Sequence, residues 1–325
     1  MRELTYSEAI YEALREEMER DPAVFILGED VGKFGGTFGV TRDLVDIFGE
    51  SRVRDTPISE NGIVGVALGA ALIGMRPVVE IMFDDFLPVA GDQIVNQLAK
   101  MRYMSGGQAH VPVVIRTTTG APLSAAAQHS QSAESWLMNV PGLKLVTPAT
   151  PADAKGLLKT AIRGNDPVIF FEHKRLYDLS GAVPEGDYTI PFGVANVVRS
   201  GRDVTLIALS GMLPHALEAA QNLAAQGIDA EVIDPRTLVP LDTETLVKSV
   251  QKTGRVVIAH EAHQRGGPGA EIAALLAEEA LDWLDAPIMR VGAKNVPIPY
   301  SPALEKVVLP GTAEIIQAVQ RIFGN

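Results

Sequence analysis

Cysteine is absent from this 325-residue chain. That excludes disulfides, thiolate zinc sites, iron–sulfur clusters and a cysteine nucleophile. It fits a reducing, cytoplasmic setting. Positive charge is in short supply, with 28 Lys and Arg against 40 Asp and Glu. A formal charge of −12 argues against a broad nucleic-acid surface, which needs clustered cations. Long apolar runs are missing too. The longest, GIVGVALGAALIGM from Gly62 to Met75, is shorter than the ~20 residues a bilayer core demands. Its glycines at 62, 65, 69 and 74 suit close packing inside a protein. The N-terminus, MRELTYSEAIYEALREEMERDP, is charged and amphipathic, unlike a secretory signal. No GxxxxGK[ST] phosphate loop, GxSxG elbow or GxGxxG fingerprint is present.

What is present reads as alternating strands and helices. Thr5 and Glu8 have capping-box spacing, and Ile10, Leu14 and Met18 share one helical face. Asp21-Pro22 stops that helix, and Ala23–Leu27 reads as a buried strand. Further strands are predicted at Arg76–Phe83, Val111–Thr117, Leu143–Val146 and Pro167–Glu172, with helices over Asp92–Met104 and Ala152–Arg163. The stretch from Leu176 to Gly193, rich in proline and glycine, reads as an interdomain linker. Beyond it, strands are predicted at Val204–Leu209, Asp229–Ile233, Arg255–Ala259 and Pro287–Val291. Helices are predicted over Leu213–Gln226, Thr243–Thr253, Gly269–Leu284 and Thr312–Phe323. The pattern predicts an α/β fold with mostly parallel sheets, and the length fits about two domains.

Three segments could carry chemistry. In DTPISENG, Glu60 falls in the first turn of the apolar helix that follows. A carboxylate there can simply answer the helix dipole. The helix is apolar all round and should be buried, which would push the carboxyl pKa up and suit proton exchange with a ligand. In MFDDF, Phe83 and Phe86 are either core or the wall of a ring-binding pocket. In AAAQHSQ, His129 sits in a loop of small residues after a strand, where a backbone can approach a ligand. His260 and His263, three apart in HEAH, miss the four-residue spacing of a zincin and read as structural or interface residues.

These segments form a series: GEDV (Gly28–Val31), DTPISENG (Asp55–Gly62), DQIVNQLAKMRYMSGG (Asp92–Gly107), AAQHSQ (Ala126–Gln131), PGLKLVTPATPADAKGLL (Pro141–Leu158) and DPRTLVPLD (Asp234–Asp242). The series resembles the beta subunit of thiamine-diphosphate-dependent 2-oxo acid dehydrogenases, over essentially the whole chain. The resemblance implies a transketolase-like fold, with a pyrimidine-binding domain over residues 1–187 and a C-terminal domain over 188–325. It implies an oxidoreductase of the EC 1.2.4 type that decarboxylates a 2-oxo acid and passes the acyl group to lipoamide. Thiamine diphosphate would be shared with an alpha subunit. The family's GDG…N signature for diphosphate and magnesium matches nothing here, so magnesium belongs to that alpha partner. An alpha2-beta2 heterotetramer within a multienzyme complex follows, inactive without alpha.

By the same resemblance Glu60 is the carboxyl that activates the cofactor pyrimidine, Phe86 packs on that ring, and Glu29 is a carboxylate near the subunit interface. His129 matches the histidine that handles substrate and acyl transfer. Backbone carbonyls of Val113, Ala161, Ile162, Gly164 and Asp166 match a potassium site, with Gly164 where an acidic residue is common. Asp285 and Asn325 match a docking region for the dihydrolipoyl acyltransferase. The MFDDF and HEAH segments look more like acetoin and branched-chain members than pyruvate members, so an acetoin dehydrogenase beta subunit is the alternative. Two other readings stand beside these. A piece of a single-chain transketolase or deoxyxylulose-phosphate synthase would carry its diphosphate domain first, whereas this chain starts at Met1 with a capped helix. A non-catalytic scaffold for the acyltransferase would tolerate changes at Glu60 and His129.

Overall fold

In the computed structural model, which describes residues 1–121 and 123–324, Thr5 caps the first helix as its spacing to Glu8 predicts. The Thr5 hydroxyl accepts from the Glu8 N–H at 3.2 Å, and the Glu8 carboxylate accepts from the Thr5 N–H at 2.8 Å. Helix α1 (Tyr6–Arg20) then buries Ile10, Leu14 and Met18 on one side. Such a cap is worth ~1 kcal/mol and fixes where the helix starts.

The described residues divide into two units. The first comprises Met1–Thr119 and Trp136–Phe192; the second comprises Gly120–Ser135 and the chain from Gly193 onward. In chain order the first holds β1 (Arg2–Thr5), α1, β2 (Val24–Gly28), α2 (Leu44–Phe48), β3 (Val53–Asp55), α3 (Glu60–Leu72) and β4 (Arg76–Phe83). Then come α4 (Ala99–Met104) and β5 (Val114–Thr119), the short α5 (Glu134–Met138), of which Trp136–Met138 belong to this unit, and β6 (Lys144–Val146), α6 (Pro151–Arg163), β7 (Val168–His173) and β8 (Ser180–Val183). The order β6-β7-β5-β4-β2-β3 is parallel throughout. Strands β2, β5 and β7 are buried along their whole length. That fits the continuous apolar run of β2 and the apolar residues that open β5 and β7, since a parallel sheet is covered on both faces.

Two expectations change here. The predicted single helix over Asp92–Met104 is a π-helical stretch, Gln93–Leu98, leading into α4. The predicted linker is folded instead. Strand β8 pairs antiparallel with β1, from Arg2 opposite Val183 to Thr5 opposite Ser180. Beyond it the chain lies along α6. Tyr188 donates to the Ala152 carbonyl at 2.8 Å, and Thr160 donates to the Ile190 carbonyl at 2.7 Å. Gly156 makes this possible, because a Cβ there would sit 2.7 Å from the Ile190 side chain. Helix α6 is tied to α1 by buried Lys155 and Lys159, which contact Glu16 at 2.6 and 2.7 Å. Arg163 adds a 2.6 Å bridge to buried Glu17.

The second unit contains β9 (Asn196–Arg199), β10 (Val204–Ala208), α7 (Leu213–Ala224), β11 (Ala230–Asp234), β12 (Thr237–Val239), α8 (Thr243–Thr253) and β13 (Val256–His263). It continues with α9 (Pro268–Glu279), β14 (Met289–Ala293), α10 (Pro302–Val308) and α11 (Thr312–Phe323). Its sheet order is β14-β13-β10-β11-β9, parallel except for β9. Helix α9 stops at Glu279, short of the predicted Leu284, and a 3-10 turn covers Leu281–Trp283. No helix of the described residues is long and apolar enough to cross a membrane.

Candidate active site

Ligands in open parallel α/β sheets gather at the carboxyl ends of the strands. Three of the residues singled out from sequence lie there in the first unit. Glu29 follows β2, Glu60 follows β3, and Phe86 follows β4.

Glu60 is the first residue of α3 and is buried. Placement there begins with Asp55 at the end of β3. Its carboxylate accepts from the Gly32 N–H at 2.6 Å, pinning the loop that leaves β2. The Thr56 N–H donates to the Gly28 carbonyl at 2.9 Å, so the two strand ends leave side by side. Gly28 is required by crowding, since a Cβ would lie 2.6 Å from the Glu80 carbonyl oxygen. These contacts bring Glu29 alongside Ser59 and Glu60. The Glu29 carboxyl is pushed above the usual carboxylate range by burial, then by the charges of Glu60 and Asp30, while the Ser59 N–H pulls the other way. Two carboxyls in one partly desolvated place suit sharing and moving a proton.

Phe86 lies in a 3-10 turn, Asp84–Ala90, directly after β4. Its ring meets Phe83 edge to face at 5.8 Å. Phe83 in turn contacts Phe38, which stacks on Tyr177 at 4.8 Å. The Lys174 ammonium lies 5.0 Å from the Phe83 ring centre. Phe86 is half-buried beside this aromatic row.

Behind this edge lies a charged network that sequence reasoning missed. Arg116, 2% exposed, binds Glu172 through two bonds of 2.7 and 2.9 Å and Glu80 through one of 2.8 Å. The Tyr177 hydroxyl donates to Glu172 at 2.8 Å. Burial raises the Glu172 carboxyl against the pull of Arg116. The signal was available as one charge in each strand segment, VVEIMF, VIRT and VIFFE. Glu80 also lies under the loop that carries Glu29, 3.0 Å from where a Gly36 Cβ would be.

His129 belongs to the second unit, in the half-buried loop Gly120–Ser135. In HEAH, His260 Nδ1–H donates to the Ala262 carbonyl at 3.0 Å and His263 Nε2–H to the Val296 carbonyl at 2.9 Å. Each histidine therefore holds backbone. Burial pushes the His260 pKa down to about 4, and the nearby Arg290 charge acts in the same direction. Its Nε2 has no hydrogen-bond partner among the described residues. The unfolded chain takes up this proton near pH 6.5 and the native chain only near 4. Stability from this group is therefore complete above pH 6.5 and falls as pH drops toward 4, by about 3 kcal/mol. Urea unfolding of the wild type and His260→Gln across that range should show the variant losing less stability; parallel losses would refute the assignment.

Four of the five potassium candidates already engage their carbonyls. The carbonyls of Ile162 and Gly164 accept from the Arg76 guanidinium at 3.0 and 2.7 Å. Those of Val113 and Ala161 accept from the N–H groups of Val168 and Gly164. The Asp166 carboxylate bridges Arg102 and Lys144. The Arg76 guanidinium thus already sits on two of these carbonyls. Asp285 is exposed, with its carboxylate 3.5 Å from Arg255. Beside it runs an apolar groove of about 630 Å³, lined by Ala270, Ala274, Ala277, Leu281, Leu284 and Pro287. Asn325 lies outside the described residues.

The fold and this strand-end site define a transketolase-type protein. The family model "Transketolase, pyrimidine binding domain" matches residues 2–180, and "Transketolase, C-terminal domain" matches residues 193–315. A split gene transketolase, described as an inactive beta4 tetramer, superposes with a TM-score of 0.82 at 28% identity, covering 99% of this chain and 98% of its own. Among characterised relatives, the acetoin:2,6-dichlorophenolindophenol oxidoreductase subunit beta of Bacillus subtilis is 48% identical over all of this chain and 98% of its own length. The pyruvate dehydrogenase E1 component subunit beta of Rhizobium meliloti is 47% identical over 99% of this chain and 70% of its own. The 2-oxoisovalerate dehydrogenase subunit beta of Bacillus subtilis is 46% identical over 98% of both. The chain belongs to the family of beta subunits of the 2-oxo acid and acetoin dehydrogenases.

Proposed function

We propose that this chain is the beta half of a thiamine-diphosphate-dependent dehydrogenase, acting on a 2-oxo acid or on acetoin and active only with an alpha subunit. The observation that carries the reading is the pair Glu29 and buried Glu60 at the start of an apolar helix. The residues fit the cofactor: a buried carboxyl for a ring nitrogen and an aromatic face for a pyrimidine. When bound, thiamine diphosphate supplies a carbon nucleophile and an electron sink for carbon–carbon cleavage. Glu60 holds the proton shared with the pyrimidine nitrogen. Glu29 stands close by, its own carboxyl raised by burial and by the Glu60 charge. Phe86 offers its face to the ring. His129 donates a hydrogen bond to the substrate oxygen and handles the proton of acyl transfer.

The domains are placed at 1–187 and 188–325, within an alpha2-beta2 assembly whose alpha subunit holds magnesium. Asp285, exposed beside an apolar groove, is the proposed contact for the dihydrolipoyl acyltransferase. The scaffold reading has less support, because Glu60 needs no burial to serve it.

The test is reconstitution. Alone, the chain should be inactive. With an alpha subunit, thiamine diphosphate and magnesium, it should turn over pyruvate, a branched-chain 2-oxo acid or acetoin. Acetoin is included because the Cupriavidus necator acetoin subunit is 50% identical. Cofactor-independent turnover, or none with any alpha partner, would overturn the proposal.

A further inference from the structure

The loop that carries His129 holds its backbone in a conformation few residues adopt unaided. Ser124 has φ of 53° and Ala126 has φ of 60°. A side chain in this left-handed region costs ~1–2 kcal/mol per residue, so something must hold it there. The support comes from the same unit. Glu305 on α10, 2% exposed, accepts from the Ser124 N–H at 3.1 Å. Glu261, the glutamate of HEAH on β13, is buried and accepts from the Ala121 N–H. Ala121 itself packs with Ile298, Val308 and Leu309. The Gly120 N–H donates to the Gln131 carbonyl at 2.6 Å, tying the two ends of the loop together.

Burying a carboxylate is costly unless hydrogen bonds answer it, and bonds from N–H to a charged oxygen are about twice as strong as neutral ones. Here two elements far apart in sequence each bury a carboxylate and aim it at a backbone N–H of one loop. A loop that needed only to be covered would be served by apolar contacts.

We infer that Glu261 and Glu305 are positioning residues that clamp the loop and fix where His129 stands. They touch backbone and act through the histidine. The inference rests on the reading of His129 as a reactive group.

Hydrogen exchange on the isolated chain tests the clamp without cofactor. In Glu305→Ala the Ser124 amide should exchange at least about tenfold faster, while the amides of Val256–Ile258 stay unchanged. Activity of the alpha–beta assembly tests the consequence. Glu305→Ala should lower kcat by about 10- to 100-fold with little change in KM, as expected when a reacting group is misplaced. Glu305→Gln keeps an oxygen for the Ser124 N–H and should recover most of the rate. The double variant Glu305→Ala with His129→Ala should be no slower than His129→Ala alone. Should Glu305→Ala fail to fold, Glu261→Ala gives the same readings at the Ala121 amide. Unchanged exchange, or losses that simply multiply in the double variant, overturn the clamp. Full turnover in His129→Ala overturns the role of the histidine, while the exchange result still judges the clamp.

Discussion

Glu60→Gln is expected to leave the chain folded and able to assemble, and to cut kcat by about 10²–10⁴-fold, the usual contribution of a positioned acid or base. The substitution keeps size and approximate shape and removes the group's ability to ionise and exchange a proton. Because Glu60 lies in the first turn of α3, losing its negative charge also costs the helix about 0.3–1 kcal/mol, small enough for folding to survive. A second effect should accompany it. The Glu29 carboxyl is raised partly by the Glu60 charge, so in the variant it should titrate lower. Steady-state kinetics would be paired with carboxyl titration by NMR. Near-normal turnover in a well-assembled variant would remove Glu60 from the chemistry.

Arg116→Met should be the most damaging substitution to stability. It leaves Glu80 and Glu172 buried together without their cation. Removing one partner of a buried ion pair costs about 3–5 kcal/mol, mainly because the remaining charge is uncompensated. Glu172 would then take up a proton at neutral pH, which limits the loss but leaves the Tyr177 hydroxyl with a weaker acceptor. Adding Glu80→Gln and Glu172→Gln to Arg116→Met should recover much of the stability, since no bare charge remains. Denaturant unfolding of the single and triple variants decides the matter. Equal stability of the single variant and wild type would show that the network contributes little.

How much of this could be read beforehand depended on the range of each interaction. The capping box at Thr5 and the apolar stretches in β2 and β7 are local, and they were legible. Strands β1 and β8 were not. RELT and SGAV are short, and neither carries a strong strand pattern; they become strands only by meeting each other. Proline and glycine around β8 signalled turns correctly, while the segment between the turns had its partner at the far end of the unit. The π-helical turns at Gln93–Leu98 share the composition of an ordinary helix, and hydrophobic spacing does not separate the two. For the site, composition predicted a helix behind Glu60 buried all round; the face with Ile63, Val64, Ala67 and Leu68 is buried, while Val66 and Leu72 are exposed. The approach of Glu29 could not be foreseen, because it depends on Asp55 gripping a loop 23 residues earlier in sequence. The family resemblance supplied Glu29 and Phe86. Neither it nor the spacing pointed to Arg116, whose partners lie 36 and 56 residues away.

The pairing of β1 with β8 bears on how the chain is made. Residues 2–5 leave the ribosome long before their hydrogen-bonding partners, residues 180–183. During synthesis the strand must wait, with its N–H and C=O groups still open, until almost the whole first unit has emerged. Pairings between such distant residues form slowly and leave edges exposed in the meantime. Glu3 and the adjacent Arg2 keep that waiting edge charged, which is how natural edge strands discourage the wrong neighbour.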